Sequence, residues 1–571
     1  MSEKNSIVIG FIDKIQKFTQ NFEKISNYTP EIIALVLFPV LFFFFGYFHE
    51  PWYDEAQAWQ IAKSASYHDI LFYLPHYEGH PPLWHLILSI FAKNNFPYET
   101  TLLSVSFVFS YTATFFIILK SPFSRIIRVL LPYTYFLFYQ NGIISRPYCM
   151  VMLAFCAIAI FYKKRHEKPI TYSIALIFLA LTHPYSFVIS SFLALAWFLE
   201  AIKKKCFKFS KFYISCIILG ICYVLIVSTI FPASDTIAAN VKSENSIFIK
   251  ILYTFFILPV DCFFSDVCDA LEFHQFAFYE LILNIPIGIL IWGFIYFYSK
   301  NKDFILQTFL ITYIPTALII TKYFSMQHIG VFAPYFIFIF WLIFQNKKET
   351  DNKNRKNNTI NKLFTLFIAI SLVTSLFWSI KSSVLDVFLR YYIGKEEAMF
   401  IKKYNLDKYN ILVGWNYEHE YSTNLMGAGV LILPYFDKNI FYNFNDKDSK
   451  KQYAYSRLNT KKQIENEYKK WRNHGLPDVI VGDADYRAVY KDESNKQEYI
   501  VVYSNNDSVI KKGTVGRIRV LNILVEKELA KKLNLKEIEP RYIERCYDLR
   551  HLAKKITIKI MTAWEKSGKN K

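Results

Sequence analysis

The chain has 571 residues, 53% of them hydrophobic and 19% aromatic, far more Phe and Tyr than a soluble domain of this size carries. Its formal net charge of +19 comes from Lys and Arg in short clusters beside apolar runs, a pattern that orients a chain in a bilayer and argues against a nucleic-acid partner. The eight cysteines show no CxxC or metal-type spacing, which excludes a zinc site and a disulfide framework as organising features.

The first apolar stretch begins near Glu31, lacks a small-residue cleavage pattern and reads as a retained span at 31–48. Further spans are expected at 98–119, 126–140, 147–162, 170–182, 185–200, 211–231, 278–298, 303–321, 329–345 and 362–381. A run such as 212–231 has the roughly 20 residues that cross about 30 Å of hydrocarbon. A short apolar piece at 82–92 leaves the count at about 11 to 13.

The basic clusters at 163–168, 203–211, 299–303 and 346–358 fall on the cytoplasmic side by the positive-inside bias. That puts SRPY (145–148), THPY (182–185), the 232–277 loop and MQHIG (326–330) together on the opposite face, with 251–264 lying along or dipping into the membrane. If 82–92 also crosses, Lys120, Arg125 and Arg128 change sides. Cys149, Cys156, Cys216 and Cys222 lie in spans and Cys206 in a basic loop, and all five read as ordinary thiols; Cys262 and Cys268 share one loop and are close enough in sequence to pair, while Cys546 stands alone.

After residue 381 the pattern changes. YNILVGW, PDVIVGDADY, EYIVVYS and RIRVLNILVEKEL read as strands, and EEAMFIKKYN and KQIENEYKKWRNHG as helices. The expected fold is a polytopic α-helical membrane protein over 1–381, with a first extracytoplasmic loop at 49–81, followed by a soluble extracytoplasmic α/β domain over 382–571. The setting is the plasma (inner) membrane. The chain shows neither an internal repeat nor a Gly-rich phosphate loop.

The polar residues at the ends of the spans carry the chemistry. WYDEAQAW (52–59) follows closely on the first apolar run. Its plain reading is an interfacial helix capped by Asp54, with Trp52, Trp59, Ala62 and Ala65 against the bilayer and Gln57, Gln60, Lys63 and Ser64 facing water. The same loop ends in HYEGHPPLWH (76–85), whose prolines stop any helix and present Glu78, His80 and His85 where the chain returns to the membrane.

Arg146, His183 and His328 each stand at the edge of an apolar segment. Each has an ordinary explanation: a snorkelling cation, the polar turn of a hairpin, an interfacial ring. Their convergence on one face with two carboxylates supplies a base, a fixed cation and imidazoles, the groups that a transfer onto a hydroxyl needs.

The order of WYDEAQAW, EGHPPLW, SRPY and THPY behind a first span resembles the GT-C class of membrane glycosyltransferases. In particular it is similar to bacterial proteins like the dolichyl-phosphate-mannose protein mannosyltransferases of glycosyltransferase family 39, over most of residues 31–345. The resemblance implies that Asp54, with Glu55 beside it, is catalytic. It further implies that Arg146, His183 and His328 bind the donor phosphate, and that Glu78, His80, Trp84 and Tyr148 contact substrate. Where the family carries a basic residue before the last histidine, this chain has Gln327.

The implied reaction is an inverting transfer of a hexosyl or pentosyl group from a polyprenyl-phosphate-sugar donor to a hydroxyl of a glycan, lipid or protein acceptor, in contact with membrane lipid at the extracytoplasmic face. No cofactor is specified, and a divalent cation is left open. A lipid-linked sugar transporter or flippase is the main alternative, expected to hold its ionisable residues near mid-membrane between repeated halves. A non-catalytic protein whose tail binds glycan or a partner is the other.

Overall fold

The computed structural model describes residues 14–25, 27–206, 210–236, 239, 247–264, 278–302, 304–321, 328–345, 358–388, 394–413, 427–444, 448–454, 475–482, 498–511 and 514–539. The helix expected at 462–475, most of the 346–361 linker, Gln327, Cys268 and Cys546 lie outside the described residues.

The chain is a helical membrane protein. Among the described residues five helices are long and apolar enough to cross a bilayer: α1 (Thr29–Phe48), α4 (Tyr98–Lys120), α7 (Pro184–Lys203), α8 (Ser210–Ile230) and α12 (Asn358–Phe388). Between α1 and α4 lie α2 (Tyr53–Ser64) and α3 (Leu83–Ala92). The shorter apolar helices are α5 (Cys149–Tyr162), α6 (Pro169–Ala180), α9 (Phe278–Ser299), α10 (Ile305–Ile320) and α11 (Ile329–Gln345). Prolines at the first positions of α6 and α7 occupy sites whose N–H has no helical partner in any case. Along the helices the backbone polar groups satisfy one another, as a lipid environment demands, except where Pro39, Pro286, Pro315 and Pro334 each remove a donor from the ladder.

One expected span, 126–140, is not a regular helix. It breaks into a short helix Arg125–Leu130, a 3₁₀ turn Leu131–Tyr133 and a π-helix Tyr135–Ile143. Pro132 removes a backbone donor where the first helix gives way to the turn. Every residue of the π-helix is buried, with Phe138 packed on Phe38 and Phe42 of α1. Irregular backbone is tolerated at membrane depth because protein, not lipid, surrounds it.

Successive segments alternate between two ends. At one end Arg125 and Arg128 pair with Glu31 (2.8 and 3.4 Å), Arg165 with Glu200 (2.5 Å), and Lys302 donates to the carbonyl of Ile343 (2.6 Å). Phe123 meets Trp341 and Phe344, and Lys203 stands over the ring of Phe304, which gathers these clusters at a common basic end. Lys120, Arg125 and Arg128 therefore stay on the basic side, because the α3 helix has only 10 residues and packs on α2 without crossing.

At the other end lies a four-stranded sheet in the order β1 (Ile411–Val413), β2 (Val479–Gly482), β4 (Thr514–Glu526), β3 (Tyr499–Lys511). β1 runs parallel to β2 in the register Ile411 to Val479, and the remaining pairings are antiparallel. β1 and β2, buried at every position, read as the continuous apolar runs of a covered strand. The strand expected through Leu529 stops at Glu526, whose carboxylate accepts from the N–H groups of Glu528 and Leu529 (3.0 and 2.7 Å) and caps the next helix.

The sheet region rests on α2 and the start of α4. Gln57 donates to the carbonyl of Ala454 (2.6 Å) and accepts from its N–H (3.0 Å), and Lys395 and Tyr435 both donate to Glu99 (2.6 and 2.5 Å). This corrects the interfacial-helix reading of α2. Gln57 and Gln60 do not face water but are 4% and 0% exposed, and Trp59 and Ala62 pack against Trp84, Leu102 and Met150 in place of lipid.

Candidate functional site

The helix α2 starts at Tyr53, and the residue that closes its first turn is Glu55, not Asp54. Glu55 Oε2 accepts from the Trp52 N–H at 3.0 Å. The same carboxylate accepts from the Ser145 N–H through Oε1 (2.6 Å) and meets His49 Nε2 at 3.1 Å. On its other nitrogen, His49 meets Asp386 Oδ2 at 2.7 Å, and Asp386 also accepts from the Tyr139 hydroxyl at 3.0 Å.

Burial alone would depress the imidazole. Asp386 and Glu55 outweigh that and raise His49 to about 10, so it sits as an imidazolium donating to a carboxylate on each side. The network fastens the end of α1, the start of α2, the 139–145 backbone and the end of α12, which runs on to Phe388, past the expected boundary at 381.

By holding Ser145, Glu55 fixes the next residue. Arg146 Nη2 lies 2.8 Å from Asp54 Oδ2, with the Arg side chain 7% and the Asp side chain 33% exposed. The guanidinium stands over the rings of Trp52 and Tyr148, 5.2 Å from each centroid. A planar cation held against two aromatic rings keeps its orientation as well as its charge.

Three histidines from three separate segments adjoin this pair. The ring of His183 lies 4.8 Å from His80, 5.6 Å from His328 and 4.7 Å from Tyr148. The turn that starts α11 is seated close to the π-helix, where Asn141 donates to the Gly330 carbonyl at 2.7 Å. A Cβ at Gly330 would stand 2.5 Å from Asn141 Oδ1, so any larger residue there has to displace the Asn141 side chain.

His183 Nδ1 accepts from the Tyr185 N–H at 3.2 Å and caps α7. In the neutral ring the proton is therefore on Nε2, which has no hydrogen-bond partner among the described residues; nor has His80 Nδ1. Burial, then Arg146 and the neighbouring rings, hold His80 well below the usual imidazole range, and burial followed by Arg146 brings His328 to about 3. The cluster thus offers neutral imidazoles beside one guanidinium.

Glu78 Oε1 accepts from Gln57 Nε2 at 3.0 Å. Burial pushes its carboxyl up to about 7, with the Gln57 hydrogen bond acting the other way and nearby Asp54 adding to the rise. Trp84 is apart from these groups. It is 1% exposed within α3, packed with Trp59 and Leu88, so the structure brings together Asp54, Arg146, Tyr148, His80, His183, His328 and Glu78 and leaves Trp84 behind them.

His49 and Asp386 are absent from the residues that the sequence singles out. For Asp386 a signal exists, since a lone carboxylate inside the apolar run SSVLDVF is a functional hint by default. Among the described residues no group of three or more His, Cys, Asp and Glu is arranged to hold a metal ion. Comparison of the chain with family models, with curated proteins and with solved structures gives no match.

Proposed function

We propose that this membrane protein is an inverting glycosyltransferase that moves a sugar from a polyprenyl-phosphate donor to a hydroxyl acceptor at the extracytoplasmic face. The observation that supports it most is the Asp54–Arg146 pair: a carboxylate one-third open to the surroundings, 2.8 Å from a buried, stacked guanidinium. In the resting chain the two neutralise each other. A donor phosphate that takes the guanidinium in a two-pronged contact frees Asp54 to accept a proton.

The acceptor oxygen then attacks the anomeric carbon from the side opposite the phosphate and gives its proton to Asp54. The bond from carbon to phosphate oxygen breaks, its electron pair leaves on the polyprenyl phosphate, and the configuration inverts. Arg146 and the Nε2–H of His183 stabilise the departing charge. Glu55, 1% exposed and holding three partners, serves as a positioning residue. The placement of these groups at one end of the bundle, not at mid-membrane, favours this reading over a transporter.

The test compares cells with and without the gene by mass spectrometry of envelope glycans and polyprenyl-linked sugars. The expected result is loss of one sugar from a glycan with accumulation of its lipid-linked donor, reproduced by Asp54→Asn at normal membrane levels. Full complementation by Asp54→Asn would overturn the assignment.

A further inference from the structure

We infer that the basic end of the bundle carries a groove for one anionic phospholipid taken from the adjoining leaflet. The groove has a volume of about 1610 Å³ and lies between the N-terminal helical stretch at 14–23, the Arg125–Leu137 segment, α11 and α12. That exceeds the roughly 300–1,000 Å³ of a small-molecule site. It has nothing to do with the Asp54 cluster, which lies at the opposite end, and the inference does not depend on sugar transfer.

Three features select the occupant. The first is length: the lining runs from Phe344 to Ala333 on α11 and from Asn361 to Leu376 on α12. At about 1.5 Å per residue this is roughly 16 to 22 Å. One leaflet, half of a bilayer whose core is about 30 Å and whose full thickness is about 40–45 Å, has the same extent.

The second is the division of polarity. Deep in the groove the lining is Leu137, Phe336, Phe340, Ile368 and Leu372, and the polar groups there are already engaged: Ser371 donates to the Phe263 carbonyl (2.6 Å) and Ser375 accepts from the Tyr135 N–H (3.2 Å). Such a wall suits acyl chains. Asn301, Asn361 and Thr365 stand at the mouth.

The third is charge. Lys14, Lys300 and Lys302 line the groove, and among the described residues no carboxylate does. Lys302 is fixed by its bond to the Ile343 carbonyl, and Lys300 is held over the Phe297 ring at 5.3 Å. Cations gathered between helices at the level of the headgroups recognise a phosphate, and a headgroup without a balancing ammonium gains most from three of them. An uncharged or zwitterionic lipid gains less from those cations.

The experiment uses the full-length protein in detergent, equilibrated with equal amounts of phosphatidylglycerol and phosphatidylcholine. Retained lipids are counted by native mass spectrometry, and Tm is measured with each lipid alone. The wild type is expected to keep one phosphatidylglycerol per chain, about tenfold over phosphatidylcholine, and to gain Tm only with the former. Lys14→Glu with Lys300→Glu, both surface changes, is expected to erase the preference, and Ala369→Trp, which fills the groove, to erase retention. Equal retention of both lipids by the wild type would overturn the inference, as would undiminished phosphatidylglycerol retention in Ala369→Trp, which would put the lipid elsewhere.

Discussion

Asp54 and Glu55 are neighbours with different work, and the difference makes Asp54 testable. Because Glu55 closes the first turn of α2, Asp54→Asn leaves the helix start intact and removes only a proton acceptor and the negative partner of Arg146. The expected outcome is a fall in transfer of about 10²–10⁴-fold, the usual weight of a general base, with normal insertion. Arg146→Lys should fall nearly as far as Arg146→Ala, since an ammonium cannot stack as a plane on Trp52 and Tyr148 or grip a phosphate with two prongs; near-wild-type transfer by the lysine variant would show that charge alone matters. Glu78 gives a pH test. Burial pushes its carboxyl up to about 7 in the fold from an ordinary 4.5, so between those values the folded chain holds a proton that the unfolded chain has lost. Stability therefore falls as pH rises through this window, and thermal unfolding of Glu78→Gln should lose that slope. Asp54, Arg146 and the three histidines were legible because each interrupts an apolar run beside proline or a motif. The His49–Asp386 contact was not, for its partners stand 337 residues apart and no local pattern encodes the pairing.

At the scale of elements, the imidazolium between two carboxylates is the joint where α1, α2, the 139–145 backbone and α12 meet. Removing one member strands the others as buried charges, so His49→Ala should cost about 3–5 kcal/mol. Asp386→Ala should cost a similar amount, both read by thermal unfolding in detergent. His49 also sets an alkaline limb. Its value rises from 6.5 to about 10 in the fold, so its stabilisation is complete below 6.5 and is lost as pH climbs through 10. A wild-type Tm that does not decline between pH 7 and 10, relative to that of His49→Gln, would show that the ring is not held as a cation. Ser145 hangs from the same joint, and both variants should therefore also weaken transfer by letting Arg146 drift. The regular spans were legible from their unbroken apolar length. The irregular 125–143 segment was not, because its composition satisfies the same criterion and only its burial among neighbouring helices permits a 3₁₀ turn and a π-helix there.

The whole molecule has two unlike ends, and its use of the bilayer depends on which end faces which way. Amphipathic spacing in α2 announced a covered face but could not say that protein, not lipid, covers it, since the apolar pattern is the same for both. The sheet region supplies part of that cover through the Gln57–Ala454 exchange of hydrogen bonds and thereby lies at the same end as the Asp54 cluster. The clusters of Lys and Arg lie at the other. The positive-inside bias then orients both at once: if the basic end is cytoplasmic, the sheet and the cluster are extracytoplasmic. Asp437, fully exposed beside the sheet, and Lys164, exposed in the basic loop after α5, report the two ends. In a background with the eight native cysteines replaced, each is changed to cysteine and treated with a membrane-impermeant maleimide. Asp437→Cys should label in intact spheroplasts, and Lys164→Cys only after the membrane is opened. Labelling of both from one side would break the two-ended arrangement. The reverse pattern would keep the arrangement but place Asp54 and Arg146 on the cytoplasmic face, and extracytoplasmic transfer from a lipid-linked donor would then fail on topology alone.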